Sequence, residues 1–287
     1  MLSGFLDIHV HLAPDTVKRA CDDLEFAADV AKIGYRGFIM KDHHASTTGR
    51  AYDLRRLFPG LEVFGGLTLN HAVGGLNPDA VEAAIKLGAK EIWMPTFGSV
   101  NHYNFFGAFG LPGLVPVREV KRTSDATKRG LSILDGGSSK EVRPEVEEIL
   151  SMVADANIIL GTGHLGLSEI YPLLESTRKL GVKKFLVTHP EFSATMWSAE
   201  DQLKLAEKGA IMEHCANLNY DAKLYASNIK KVGAERCVLS SDSGQLKKGH
   251  PALAMCKFVE DLMSEGVTES EIHTMAKVNT LKLLDLN

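Results

Sequence analysis

The sequence is short of cysteine, and what it has is dispersed. Cys21, Cys215, Cys237 and Cys256 form no CxxC pair, so neither a disulfide framework nor a thiolate zinc knuckle is indicated; they read as reduced thiols of a cytoplasmic protein. No apolar run approaches the roughly 18 residues that a membrane-spanning helix needs. The N-terminus has neither the basic n-region nor the apolar h-region of a secretory signal. Positive charge is not in excess: 32 Lys and Arg face 36 Asp and Glu, for a net charge of -4, which argues against nucleic acid as a bulk electrostatic partner. No repeat, low-complexity tract or composition break marks a domain boundary in the 287 residues. With 45% hydrophobic and 24% charged residues, the chain has the balance of a soluble globular protein. Assembly into a homo-oligomer stays open.

What is present is a regular beat of short apolar runs and amphipathic stretches. Phe5-Leu6-Asp7-Ile8-His9-Val10-His11-Leu12 alternates with the period of a β-strand, which would place Asp7, His9 and His11 on one face and Leu6, Ile8, Val10 and Leu12 on the other. Further strands are expected at 36–41, 62–69, 91–94, 157–160, 184–189, 210–214 and 236–242. Helices fall between them, with start signals at Asp22-Asp23, Asn77-Pro78, Pro144, Ser168, Ser198 with Asp201, and Thr268 with Glu271. Between Thr96 and Gly137 the beat breaks into Gly, Pro and aromatic residues. Two short apolar pieces there, Leu114–Val117 and Leu131–Leu134, suggest an inserted loop holding a small β-hairpin. A structureless segment of about 40 residues is long for a connection and reads as a lid or binding loop. Eight strands alternating with helices predict an α/β fold, a closed (β/α)8 TIM barrel in one domain over 1–287, with 96–137 as the insertion after strand four. A doubly wound open sheet is the alternative.

In such a barrel, chemistry gathers where the strands end. Those ends carry His9 and His11, Lys41 and His43, Asn70 and His71, Thr96, His164, His189, His214 and Asp242, and so hold seven of the 11 histidines. Two imidazoles two apart on one strand can reach one ion, and neutral imidazole with carboxylate suits Zn²⁺ and similar divalent ions. Asp242 lies in the small-residue loop Ser240-Ser241-Asp242-Ser243-Gly244, accessible as a ligand or as the acceptor of a water proton. Its competing reading is a helix cap. Gly161-Thr162-Gly163-His164-Leu165-Gly166 imitates a dinucleotide fingerprint. The acidic residue that such a site needs about 20 residues on is replaced by Thr188-His189.

These motifs resemble the amidohydrolase superfamily. Asp7-Ile8-His9-Val10-His11 resembles its first-strand HxH, Thr162-Gly163-His164 and Thr188-His189-Pro190 its single histidines after strands five and six, and Ser241-Asp242-Ser243 its aspartate after strand eight. The resemblance implies a compact metal-dependent hydrolase, acting through a metal-activated water on a small-molecule amide, lactone or ester. It implies one or two divalent ions, zinc in the first instance, held by His9, His11, His164, His189 and Asp242. His189 and Asp242 would be catalytic. The bridging Lys or Glu that two-metal members carry on strand four is not evident after Trp93, so Lys41 on strand two is the candidate bridge, as a carbamate. His43, Asn70, His71, His102, Tyr103, His214 and Asn217 are the candidate substrate contacts, and Arg118, Lys121, Lys247 and Lys248 could favour an anion. Asp42-His43-His44 after strand two also resembles the PHP phosphoesterases, whose related barrel has seven strands. A metal-dependent decarboxylase of an aromatic acid, and a barrel that keeps metal only as a structural staple, complete the alternatives.

Overall fold

The structure is a computed structural model that describes residues 2–110, 130–136, 141–217 and 220–286. Its elements follow one another as β1 (Leu6–Val10), α1 (Asp23–Lys32), β2 (Gly37–Met40), α2 (Thr48–Leu57), β3 (Glu62–Thr68), α3 (Pro78–Lys86), β4 (Glu91–Trp93) and α4 (Val100–Phe106). Then come α5 (Pro144–Ala156), β5 (Ile159–Gly161), α6 (Leu167–Leu180), β6 (Phe185–Thr188), α7 (Ala199–Glu207), β7 (Ile211–Cys215), α8 (Ala222–Val232) and β8 (Cys237–Ser240). The chain finishes with α9 (Pro251–Ser264), α10 (Glu269–His273) and α11 (Asn279–Leu283). The eight strands are parallel and pair in chain order. The seam between the first and last is drawn together by Asp242 N–H donating to the His9 carbonyl and His11 N–H to the Ser243 carbonyl, each at 2.8 Å. This is the (β/α)8 barrel that the alternation predicts, and eight strands leave no place for the seven-stranded alternative.

Two apolar layers hold the barrel. The outer one lies between strands and helices and takes in Val10, Leu12, Phe38, Met40, Ile92, Leu160, Val187, Met212 and Leu239. The inner one fills the lower bore with Leu6, Ile8, Ile39, Phe64, Trp93, Ile159, Leu186 and Val238, closed below by Leu283 and Leu284. Full burial of each such side chain is worth roughly 1.5–3 kcal/mol. The Trp93 indole crosses the bore where its neighbours are glycine: a Cβ on Gly66 would fall 2.5 Å from the ring, and one on Gly161 2.6 Å.

Three local expectations change. Strict alternation along the first strand fails, because Asp7 pairs with Phe38 while Val10 pairs with Met40. Three residues of β1 therefore span two of β2, a β-bulge, and it splits the expected apolar face: Leu6 and Ile8 point into the bore, Val10 and Leu12 toward the helices. Second, α6 begins at a Gly166 cap rather than at Ser168, with Glu169 reaching back to the Gly166 N–H at 3.4 Å. Third, the insertion contains α4, which its Gly- and Phe-rich composition does not announce. Leu131 bridges Ser99 and Leu134 bridges Val142, stitching the second apolar piece to the barrel. The first piece, Leu114–Val117, lies outside the described residues, as do Arg118 and Lys121.

Candidate metal centre

The bulge places His9 directly after Ile8 on the bore side, and His11 follows at the strand's mouth. Asp242 leaves β8 in a left-handed conformation, φ 40°, and His189 leaves β6 at φ 31°. Such backbone costs about 1 kcal/mol or more in a non-glycine residue and recurs at functional sites. In Asp242 it turns the carboxylate across the seam. His9 Nε2 is 3.1 Å and His11 Nε2 3.2 Å from Asp242 Oδ1, and the three atoms lie within 4.8 Å of one another. Lys248 braces the turn, its Nζ 3.0 Å from the Asp242 carbonyl and 2.5 Å from that of Ala216. Its ammonium is thus engaged by main-chain carbonyls, whereas the sequence offers it as a contact for an anion.

Below this cluster is a carboxylate, Glu213, that the pattern of the sequence does not single out. Glu213 Oε1 accepts from His9 Nδ1 at 3.0 Å and from the Ser240 hydroxyl at 2.7 Å. That contact fixes a His9 proton on Nδ1 and makes Nε2, which faces Asp242 and Lys41, the nitrogen that would serve as a ligand, the usual arrangement behind a metal-bound histidine. Lys41 Nζ stands 3.0 Å from the same Nε2 and 5.1 Å from the Trp93 ring centroid. Burial lowers the Lys41 pKa. Burial and Lys41 pull His9 down, but Asp242 and Glu213 outweigh them and its pKa is raised. Burial raises Asp242, yet His9 and His11 hold it well below the carboxylate range. Two anions are thus matched by positive charge shared between His9 and Lys41, and a divalent cation among the same donors would meet the same demand. Glu91 is also on the bore side, where burial and Glu213 hold its pKa well above the usual range. Neither of its oxygens has a hydrogen-bond partner among the described residues, so β4 does carry an inward acid, placed deeper than the strand end.

The other predicted histidines close one side of the mouth. His43 stacks on His11 with centroids 4.7 Å apart, and Phe97 stacks on His43 at 3.8 Å. His164 and His189 lie 4.9 Å apart, and Phe192 is 4.9 Å from each. His189 is 6.1 Å from His9, and its buried Nδ1 has no hydrogen-bond partner. Burial in this aromatic surround lowers every one of them: His11 to about 3, His189 to about 4, His43 and His164 well below the ordinary value. Neutral imidazole is the form that binds metal. The residues present therefore fit a divalent ion. His11 is the least prepared, because its Nδ1 faces Arg19 at 3.4 Å.

Several predicted contacts are elsewhere. His214 is on the outer face of β7: inward Ile211, Glu213 and Cys215 alternate with outward Met212 and His214. Its Nδ1 lies 3.0 Å from Glu191 Oε1 and its Nε2 3.4 Å from Cys237 Sγ. Asn70 has its amide fully occupied, donating to the His43 carbonyl and Thr96 Oγ1 and accepting from the Thr96 and Gly98 N–H groups. It brackets two loops instead of offering contacts to a ligand. His102 stands behind His164, with the two Nδ1 atoms 2.8 Å apart. His71 is exposed and meets Phe109 edge-on at 5.2 Å, Tyr103 lies 4.9 Å from the same Phe109, and Asn217 turns to the Tyr225 hydroxyl at 3.4 Å. Asp42 accepts from the His44 and Ala45 N–H groups and does not join His9 and His11.

A family model described as "Family of unknown function (DUF6282)" matches residues 4–213. The chain belongs to this family. No match was found among curated proteins. The DUF6282 barrel is similar to solved structures at low identity. With an amidohydrolase from Pseudomonas aeruginosa it shares 12% identity over 98% of this chain and 95% of that one, at a TM-score of 0.63. For an organophosphorus hydrolase from Deinococcus radiodurans the figures are 11%, 99%, 93% and 0.60. For a 2,6-dihydroxybenzoate decarboxylase from Rhizobium they are 11%, 99%, 99% and 0.58. DUF6282 thus has the fold of amidohydrolase-superfamily structures.

Proposed function

We propose that this protein is a divalent-metal hydrolase acting on a small-molecule amide, lactone or ester. The observation that carries the reading is the convergence of His9 Nε2, His11 Nε2 and Asp242 Oδ1 at the barrel mouth. It is supported by the fold shared with structures named as an amidohydrolase and an organophosphorus hydrolase. His9, His11, His164, His189 and Asp242 are the residues that would hold the metal, with zinc the ion their donor types suit. When bound, such an ion brings a water whose pKa falls to about 7 and a Lewis acid for a carbonyl or phosphoryl oxygen. Asp242 stays ionised beside two imidazoles, placed to take a proton from water and return it to the leaving group. Glu213 keeps His9 in the ligand tautomer. Phe97 and Phe192 exclude water from the histidine side, and the 96–137 insertion is the wall or lid of the substrate cleft. Lys41, within reach of His9 Nε2, is the proposed bridge to a second ion, as a carbamate; a ¹³C-bicarbonate NMR signal from Lys41 tests this, and its absence in the metal-loaded protein removes it.

The reading is tested by metal analysis of the purified protein. It is followed by a panel of lactones, cyclic amides, phosphate esters and aromatic carboxylates, with and without chelator. Turnover of a lactone or amide that chelation abolishes and zinc restores is the expected result. Chelator-resistant turnover, or a purified protein that binds no divalent ion, overturns it. Carbon dioxide release from an aromatic acid would instead select the decarboxylase reading, which the likeness to the 2,6-dihydroxybenzoate decarboxylase fold keeps in view. A cytoplasmic location is proposed from the scattered free cysteines; no helix of the described residues is long and apolar enough to cross a membrane.

A further inference from the structure

The first turn of α4 grips His164 from three sides. Ser99 Oγ donates to the His164 carbonyl at 3.1 Å, and Asn101 Nδ2 donates to it at 3.0 Å while also reaching the Ala194 carbonyl at 2.9 Å. The third contact is ring to ring. His102 Nδ1 is 2.8 Å from His164 Nδ1, and His102 Nε2 is 2.9 Å from the Gly110 carbonyl oxygen. His102 is fully buried and packed against Phe106 at 4.6 Å and Phe97 at 5.2 Å between ring centroids.

The protons in this chain can be counted. A carbonyl oxygen only accepts, so His102 Nε2 carries a hydrogen. The ring packs between phenylalanines, and no acid of the described residues is among its hydrogen-bond partners, so it is neutral and its Nδ1 is bare and must accept. The only hydrogen that can lie between the two Nδ1 atoms belongs to His164. Its Nδ1 is therefore protonated, and the lone pair is on Nε2, at the far side of the ring from His102.

We propose that His102 is a positioning residue, relaying the Gly110 carbonyl through its own ring so that His164 is held as the Nδ1–H tautomer with Nε2 unprotonated. The insertion after β4 then does more than wall the cleft, because it sets which nitrogen of His164 can bind an ion. The role rests on the metal reading above for its purpose, but the proton pattern does not depend on it. Among the described residues no acid takes part: the relay does with a second imidazole and a main-chain carbonyl what Glu213 does for His9 with a carboxylate.

The test uses the full chain freed of metal by chelation and labelled with ¹⁵N-histidine. Long-range proton–nitrogen correlations read which ring nitrogen bears hydrogen. In the wild type, His102 should be protonated on Nε2 and His164 on Nδ1; His164 protonated on Nε2 overturns the proposal. His102→Leu, which cannot accept, should let His164 drift toward the Nε2–H form and weaken Zn²⁺ affinity by about 10–100-fold, the range for lost outer partners of a ligand. His102→Gln, which can both accept and donate, should restore the tautomer and most of the affinity. Wild-type tautomer and affinity in His102→Leu overturn the proposal. If His102→Leu fails to fold, the wild-type and His102→Gln spectra decide. A wild-type protein that shows the stated protons but takes up no Zn²⁺ sinks the metal reading and leaves the assignment of His102 standing.

Discussion

His189 and His214 sit at the mouth ends of neighbouring strands, both buried, yet one is neutral and the other charged. Among the described residues His189 has no acid in hydrogen-bond contact; burial brings its pKa down to about 4, and it is neutral. His214 is as deeply enclosed, and burial also works to lower it, but Glu191 outweighs that and pushes it up to about 10. Glu191 is itself pulled low by His214, with Gln202 and Asn228 donating to it. The difference is which way the side chain leaves the strand. Toward the bore, imidazoles are gathered without enough acid to charge them all and keep lone pairs that the proposed ion would use. Toward the helices, one imidazole is given its own carboxylate and becomes part of the packing between β7, α7 and α8. Burial alone therefore does not tell a ligand from a structural histidine; the partner does.

The strongest way to break this contrast is to remove the acid on each side. Asp242→Asn should reduce turnover by roughly 10⁴-fold, the upper range for loss of a general acid–base group, while the urea midpoint stays near the wild type and most metal remains bound. Unchanged turnover would remove Asp242 from the chemistry. Glu191→Gln should do the reverse. Breaking a buried ion pair from one end costs about 3–5 kcal/mol, read as a lowered urea midpoint, with turnover per folded molecule retained. Loss of activity without loss of stability in Glu191→Gln would place His214 in the site after all.

A smaller effect is expected from Glu213→Ala, which leaves the His9 ring without its Nδ1 acceptor. Zinc affinity should fall by about 10–100-fold, measured by competition with a chelating dye; an unaltered affinity would mean that His9 needs no orienting partner. The smallest effect is on pH dependence, and here the two kinds of histidine have opposite signs. His214 is raised above its unfolded value of 6.5, so its contribution is complete below pH 6.5 and is lost as the pH climbs toward about 10. His189 and His11 are depressed, so they cost nothing above pH 6.5 and oppose folding as the pH falls toward about 4 and about 3. Each group contributes at most about 1.4 kcal/mol per pH unit. His214→Gln should flatten the alkaline limb of a stability–pH curve, and His189→Asn the acid limb. If both variants flatten the same limb, the assignment of charges is wrong.

Much of this arrangement is legible in the sequence because strand ends in a parallel barrel share one face, so His9, His11, His164, His189 and Asp242 can be collected from chain order alone. What escapes has physical causes. Along β7, Ile211-Met212-Glu213-His214-Cys215 mixes apolar and polar residues on both faces, so alternation cannot say which face is the bore; His214 is chosen and Glu213 missed. The β1 bulge cannot be foreseen from a pattern that alternates without fault from Leu6 to Leu12. His102 is selected in the sequence, but as a substrate contact, because nothing in Ser99-Val100-Asn101-His102 shows that a helix turns it back on His164. Glu91 reads as the polar start of a strand, and only the closed barrel shows that it has no water to face.

The seam between β1 and β8 joins the two ends of the proposed ligand set. Asp7 Oδ1 accepts from the His9 and Ser241 N–H groups, and Asp242 N–H donates to the His9 carbonyl. His9 and Asp242, the first and last residues of the proposed ligand set, are therefore neighbours only through the final strand. A chain emerging during synthesis with seven strands complete already has both β1 histidines, His164 and His189, but lacks Asp242 and leaves one edge of the sheet open. The proposed site is therefore complete only when β8 closes the barrel against β1.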